Sequence, residues 1–265
     1  MSISTRSHAS ERTEQSARRG ASQSDRHNDA QLTRWGGVAG VAGAGLLISS
    51  ALVVGVLGLP DASDVETLTD FANIETGRIV EHFLYLGALM GFALHLFVLG
   101  RLLWNSHPAA ALFGTVVAGF GFLTMAASSL LHVSTSPLAE LYTDPGATPE
   151  DLQAIESAWF GAQSVFDTML LTGVLLVPIG IVFLGIAMQR TPLFGTRLTG
   201  LTFALGFSGI IGATIAVIDP DSLFAAVSLL AIAVFHLATG WRTFKLANES
   251  TVDITDTRVD VSAIT

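Results

Sequence analysis

Six long apolar segments, each close to the length of a bilayer crossing, constrain the fold of this chain most. A helix needs about 20 apolar residues to cross the hydrocarbon core of a membrane. Backbone groups find no water there, so each segment predicts a helix, and uniform apolarity without alternation argues against a β-barrel. The sequence therefore predicts an all-α, multi-pass membrane protein with a bundle of six transmembrane helices. The segments are Trp35–Leu59, Ile79–Trp104, Pro108–Leu131, Ala158–Met188, Leu193–Ile218 and Leu223–Trp241.

Polar segments flank this membrane domain, which we assign to residues 34–246. Residues 1–33 are rich in Ser, Arg, Glu, Gln and Asp, and residues 247–265 are polar and acidic. Such segments bury too little apolar surface to offset the entropy lost on ordering, so both tails are predicted to be disordered. The first apolar segment begins too late and is too long for a signal peptide.

The charge balance is acidic, with 22 Asp and Glu against 13 Lys and Arg and a formal net charge of −9. Lys245 is the single lysine and the chain has no cysteine. An acidic, lysine-poor composition is typical of the proteomes of halophilic archaea, where carboxylates keep surfaces hydrated in salt. The absence of cysteine excludes disulfides and thiolate metal sites. Basic residues of the N-terminal tail are interleaved with acids, which argues against nucleic-acid binding.

Basic residues flank the segments asymmetrically, and this asymmetry predicts orientation because loops rich in Arg and Lys stay in the cytoplasm. With six crossings, the other side of the membrane carries Arg78 alone among many acids. We therefore expect a cell-membrane protein with both termini in the cytoplasm. The basic residues on the cytoplasmic side are Arg6, Arg12, Arg18, Arg19, Arg26, Arg34, Arg101, Arg190, Arg197, Arg242 and Lys245.

Small residues at four-residue spacing predict close helix packing, since helices in lipid associate through close backbone approach. These ridges serve packing inside one chain or, alternatively, a homo-oligomer in the lipid bilayer. They comprise Gly36 and Gly40, then Gly87 and Gly91, and finally Gly200, Ala204, Ser208 and Gly212. Farther along, Thr148 followed by Pro149 predicts that the fourth membrane helix begins outside the membrane, and Pro178 predicts a kink in it.

Asp167 is the polar residue that most needs an explanation. Counted from Ala158 at about 1.5 Å per residue, it lies near the middle of the membrane. A carboxylate there is costly unless it is paired, and such acids usually face the bundle interior or a water cavity. Gln163 lies one turn earlier on the same face. We expect a buried polar site at Asp167 and Gln163, which either joins helices or relays a proton or cation.

Four histidines of the predicted helices fall at two depths, His82 with His132 and His95 with His236. Two imidazole pairs at two depths are what a cytochrome with two haem b groups requires. The helical angle argues against this reading. His82 and His95 are thirteen residues apart, which places them about 140° out of phase on one helix. Haem ligation therefore stays an alternative to ordinary buried or interfacial histidines.

Imidazoles and carboxylates also suggest a zinc site at the predicted outer boundary, formed by Glu81, His82, His132 and Glu156. An open fourth position on zinc would supply a hydrolytic water. The sequence contains no HExxH motif, dinucleotide fingerprint or Walker loop. Enzyme activity therefore has no motif in its favour and stays open.

The layout resembles the uncharacterised six-helix membrane family catalogued as domain of unknown function 4386. The resemblance covers about Arg34 to Leu246. It rests on Arg34-Trp35-Gly36-Gly37, Ala72-Asn73-Ile74-Glu75, Phe166-Asp167, Leu193-Phe194-Gly195-Thr196-Arg197 and Leu198-Thr199-Gly200. It implies the six-helix fold and topology but no activity. In that family a His is expected shortly after the acid of the fourth helix, and here Thr168 and Met169 follow Asp167.

These observations favour a small transporter-like or sensory membrane component with a buried polar site at Asp167. A haem b electron-transfer protein that uses the histidine pairs is the first alternative. A membrane hydrolase with a metal at its outer face is the second.

Overall fold

The computed structural model describes residues 5–59, 66–219 and 222–262. Within these ranges, side chains are described for 28–59, 68–69, 74–219 and 222–249. The described backbone forms seven helices and no strand, which confirms the all-α prediction. They are α1 (Thr5–Leu57), α2 (Glu66–Trp104), α3 (Pro108–Val133), α4 (Ser136–Tyr142), α5 (Pro149–Met188), α6 (Gly195–Ile218) and α7 (Phe224–Ser262).

Six of these helices contain a stretch long and apolar enough to cross a membrane, as predicted, and this supports a multi-pass membrane protein. α4 is the exception, with seven residues. The predicted tails, 1–33 and 247–265, coincide with the ends of α1 and α7, where the backbone stays helical from Thr5 and as far as Ser262. Ala, Glu, Gln and Arg recur in the N-terminal tail and are good helix formers, so the backbone there can continue a membrane helix without burying a face. The side chains of 1–27 and 250–265 lie outside the described ones, and disorder of the tails stays a prediction.

The start of α5 follows its sequence signal. The Thr148 hydroxyl oxygen accepts a hydrogen bond from the Asp151 N–H at 3.3 Å, and the Asp151 carboxylate accepts one from the Thr148 N–H at 3.0 Å. This reciprocal capping box satisfies two N–H groups that a helix start otherwise leaves unpaired. The 40-residue helix is about 60 Å long, roughly twice the hydrocarbon thickness, so part of it extends beyond the membrane.

The six long helices close into a ring in the order α1, α2, α3, α5, α6, α7, and α7 packs back on α1. Glycines set the closest contacts. A Cβ on Gly114 or Gly180 would lie within 3 Å of the other glycine's carbonyl oxygen, and Gly121 and Gly173 face each other similarly. The backbones of α3 and α5 therefore touch directly, as expected of helices that associate in lipid.

The predicted ridges on the first two spans pack inside the ring, where a Cβ on Gly40 would meet His95 and one on Gly91 would meet the α1 backbone. The ridge on α6 is only partly used. Gly212 packs on α7, but Gly200 has no neighbour within 4 Å and Ala204 is exposed. A second stripe of small residues, which includes Gly206, faces α5 instead. α6 therefore has two stripes of small residues, and the contacts with neighbouring helices determine which stripe is packed. A homo-oligomer stays a prediction.

The two ends of the bundle differ in character. Trp35, Trp104 and Trp241 are exposed on α1, α2 and α7 at one end, which we call the tryptophan end. Exposed tryptophans are typical of the boundary between lipid and water. At the other end, the capped end, α4 lies against α2 and α5. Its apolar contacts form a small separate core, the cap, which consists of Leu68, Ala139 and the fully buried Trp159.

Candidate functional site

Polar side chains of α2 and α3 meet inside the bundle near the cap. Nδ1 of His82 lies 2.8 Å from the hydroxyl oxygen of Ser129, and the ring centroids of His82 and His132 are 4.7 Å apart. The Phe166 ring of α5 packs on His132 at 4.9 Å. We call Glu81, His82, Ser129 and His132 the capped-end cluster. Its two histidines and Ser129 are buried.

Glu81 brings a carboxylate into this cluster. Its Oε2 lies 3.5 Å from Nε2 of His82 and 3.8 Å from a terminal nitrogen of Arg78, and its Oε1 accepts a hydrogen bond from Ser50 at 3.3 Å. These neighbours come from α1 and α2, so the acid joins the two helices. Inside a protein of low dielectric, such polar contacts are stronger than in water, and an unbalanced charge is correspondingly costly.

Two further buried residues border the cluster with unused hydrogen-bonding capacity. Tyr85 follows His82 by three residues on α2, and Gln163 precedes Phe166 by three on α5. Tyr85 is 9% exposed and Gln163 is 4% exposed. Neither the Tyr85 hydroxyl nor the Gln163 amide nitrogen has a hydrogen-bond partner in the part of the chain that the structure describes. A buried polar atom left without a partner costs about 1–3 kcal/mol, so each of these two atoms is available to a water molecule or an exchanging proton.

Asp167 lies elsewhere than expected. Its side chain is exposed on the surface of the single chain, whereas Gln163 is buried. It follows Phe166, whose ring contacts His132 near the end of α3, so it lies level with the capped-end cluster instead of the middle of the bundle. The helix begins at Pro149, so a depth counted from Ala158 is misleading. The side of α5 that packs on α3 carries Gly173 and leaves Asp167 facing outward.

The predicted zinc ligands do not all converge. Glu81, His82 and His132 belong to the capped-end cluster, but Glu156 accepts a hydrogen bond from the Tyr142 hydroxyl at 2.7 Å near the cap. Among the residues that the structure describes, no group of three or more His, Asp or Glu side chains is arranged to hold a metal ion. The described geometry therefore gives the metal-dependent hydrolase no support.

A second polar site lies deeper in the bundle. Nδ1 of His95 on α2 is 2.9 Å from Nδ1 of His236 on α7, and both residues are fully buried. We call them the buried histidine pair. Aromatic rings enclose it, because Phe92 stacks on His236 at 4.2 Å and the Phe122 ring lies at 5.5 Å. A 2.9 Å contact is a hydrogen bond, so one imidazole donates an N–H and the other accepts it.

The structure brings the histidines together as two pairs at two depths, but neither pair fits a haem. Two imidazoles on one iron have ligating nitrogens about 4 Å apart, given metal–nitrogen bonds near 2 Å. The contact between His95 and His236 is shorter than that, and the rings of His82 and His132 touch directly. Phenylalanine rings also occupy the space beside the buried histidine pair that a porphyrin would need. Neither histidine pair is therefore arranged to hold a haem.

Several members of these sites were not foreseen. Ser129 and Phe166 carry no sequence signal, because their roles depend on which faces of α3 and α5 meet. Tyr85 did carry a sequence signal, because a tyrosine one turn after Glu81 and His82 on an apolar helix shares part of their face.

Comparison of the chain with protein-family models, curated proteins and solved structures found no match. The resemblance to the six-helix family stays a prediction, and function has to be argued from the geometry.

Proposed function

We propose that this chain is a transporter-like or sensory membrane component that takes up and releases a proton at the capped-end cluster. The observation that carries this proposal is the meeting of Glu81, His82 and His132 beside two buried polar groups, Tyr85 and Gln163, that lack partners among the described residues. An imidazole exchanges its proton near neutral pH, and burial brings a carboxyl group towards that range because it disfavours the charged form. Buried ionisable groups within membrane helices usually mark proton or ion sites.

The surroundings favour a site that responds to a bound species. Cluster residues come from α2 and α3, and Ser50 of α1 and Phe166 of α5 touch them. A change of charge at Glu81 would therefore act on four helices at once. Asp167 lies at the same level and supplies an acid on the outer surface of α5.

The charge on Glu81 gives the direct test. We would reconstitute the full chain in nanodiscs and follow thermal unfolding across a range of pH and with Na⁺, Li⁺ and K⁺. The wild-type midpoint is expected to depend on pH and to respond alike to the three cations. The Glu81→Gln variant should lose that dependence, and Glu150→Gln, at an exposed position in the first turn of α5, should keep it. A dependence unchanged in Glu81→Gln would refute the proposal.

A liposome assay separates the two classes of function. If the protein dissipates an imposed proton gradient, and Glu81→Gln does not, it is a transporter. If the midpoint depends on Glu81 without any flux, it is a sensory component.

We further propose that the tryptophan end faces the cytoplasm of the cell, because the described basic residues other than Arg78 gather there. The natural chain has no cysteine, so single cysteines can report orientation without background. Asp144→Cys at the capped end and Thr196→Cys at the tryptophan end both replace exposed residues. A membrane-impermeant maleimide should label only Asp144→Cys in intact cells. Labelling of Thr196→Cys alone would reverse the orientation.

A further inference from the structure

A cleft of about 720 Å³ opens on the outer surface of the ring at the tryptophan end, where α1, α2 and α3 meet. Its volume lies in the range of small-molecule sites. Gly100 also lines it, and the absence of a side chain there lets Thr115 of α3 pack against the α2 backbone. This cleft lies at the opposite end of the bundle from the capped-end cluster, and neither that cluster nor the buried histidine pair uses its residues.

The lining of the cleft changes along its length. Phe97, Leu112 and Val116 line it on the side towards the middle of the bundle, and all three are exposed on the single chain. Arg101 and Asn105 line it at the tip of α2, beside the exposed Trp104. An apolar groove that leads to a cationic and amide-bearing rim at the tryptophan boundary matches a lipid with its head group at the interface.

The ion pair at the rim leaves Arg101 available for such a ligand. A terminal nitrogen of Arg101 donates to the Asp29 carboxylate at 2.8 Å, and both side chains are about 60% exposed. An ion pair this exposed contributes little to stability. A guanidinium has five N–H donors in a planar fork that suits phosphate oxygens, and one hydrogen bond to Asp29 leaves most of them for a ligand.

We propose that this cleft holds an anionic phospholipid, with its phosphate on Arg101 and Asn105 and an acyl chain along Phe97, Leu112 and Val116. Asp29 competes with the phosphate for the same guanidinium. The ion pair between Arg101 and Asp29 therefore limits the affinity for the lipid, and removal of the Asp29 charge should strengthen lipid binding.

Native mass spectrometry of the full-length protein, released from detergent with added phosphatidylglycerol or phosphatidylcholine, tests this site. The wild-type protein is expected to retain one phosphatidylglycerol and to retain phosphatidylcholine less. Arg101→Gln should weaken retention on the order of fivefold, as expected for one basic contact. Asp29→Asn should strengthen it. A purely structural ion pair would respond to both substitutions in the same direction.

Two further variants complete the test. Val116→Trp fills the groove from its exposed lip and should abolish retention while the unfolding temperature stays unchanged. Arg197→Gln removes an exposed basic residue of the same end outside the cleft and should leave retention unchanged. Equal retention of the two lipids, or retention that survives both Arg101→Gln and Val116→Trp, would overturn the proposal.

Discussion

Nδ1 of His95 and Nδ1 of His236 lie 2.9 Å apart on two helices, although the residues are 141 positions apart in the sequence, and both side chains are fully buried. Only one hydrogen can occupy the line between these nitrogens, so at least one of the two imidazoles is neutral. The pair joins α2 to α7 across the ring by a polar contact in apolar surroundings. Such contacts between membrane helices contribute about 0.6 kcal/mol on average and up to about 2 kcal/mol.

We expect the purified protein to be colourless. The histidine contacts are too short to admit an iron between the rings, so neither pair can ligate a haem in this arrangement. An absorption spectrum in detergent, recorded oxidised and then reduced with dithionite, should show no Soret band. A Soret band that shifts on reduction, with α and β bands appearing, would contradict this expectation and make the four histidines the targets of mutagenesis.

The His236→Ala variant should be destabilised by about 2–4 kcal/mol. The substitution leaves a cavity between Phe92 and Phe122 and removes the partner of the buried His95 Nδ1. Thermal unfolding in detergent measures the loss. Leu237→Ala, on the next residue but exposed to lipid, is the control and should change stability little. Equal effects of the two substitutions would mean that the pair does not hold α2 and α7 together.

Gly37→Leu should prevent closure of the ring. A Cβ at this position would lie 2.5 Å from the backbone nitrogen of Phe244 and 2.8 Å from the carbonyl oxygen of Gly240, so the α1 and α7 backbones would have to separate. We expect little monodisperse protein in size-exclusion chromatography. Gly45→Leu is the matched control on the same helix, because a Cβ there has no neighbour within 4 Å. If both variants behave like the wild type, α1 and α7 do not touch as described.

Trp159→Ala should open the cap. Trp159 is fully buried against Leu68 and Ala139, and loss of a buried tryptophan costs about 3–5 kcal/mol. A hydrophobic carbodiimide should then modify Glu81 faster, which mass spectrometry of the digested protein can follow. Trp241→Ala, an exposed tryptophan at the other end, should leave the rate unchanged. An unchanged rate in Trp159→Ala would mean that the cap does not cover the cluster.

The all-helical fold and its six spans could be predicted because length and apolarity decide whether a segment can cross a membrane. The beginning of α5 could be predicted too, since Thr148, Pro149 and Asp151 form a local capping signal. Both features depend on residues that are adjacent in the sequence. The helix neighbours in the ring and the faces that they share depend on contacts between distant segments, and no local pattern encodes those.

The candidate site likewise combines features that could be predicted from the sequence with features that depend on contacts between helices. The residue types at Glu81, His82 and His132 were chosen from the sequence, but Asp167 was expected to be buried and is exposed. Asp167 was placed deep in the membrane by counting residues from Ala158, whereas α5 begins at Pro149, outside the membrane. Gly200 and Ala204 were expected to pack, yet α6 presents Gly206 to α5. The exposure of Asp167 and the packing of Gly206 both depend on how α5 and α6 are rotated about their axes, and neighbouring helices set that rotation.

The angle between His82 and His95 around the axis of α2 determines which helices these two side chains contact. At about 140° the two side chains cannot share a neighbour on one side of α2. This separation suits the ring, because α2 contacts the adjacent α3 on one side and reaches α7 across the interior. His82 reaches α3, and His95 reaches α7.

The contact of Gly37 with Gly240 has a consequence for biosynthesis. The first and last spans are translated far apart in time, so the glycine face of α1 stays in contact with lipid until α7 leaves the ribosome. A chain stalled before α7 would be an open arc with two uncovered edges, suited to recognition by membrane quality control. Completion of the final helix is therefore the step that turns an assembly intermediate into a sealed bundle.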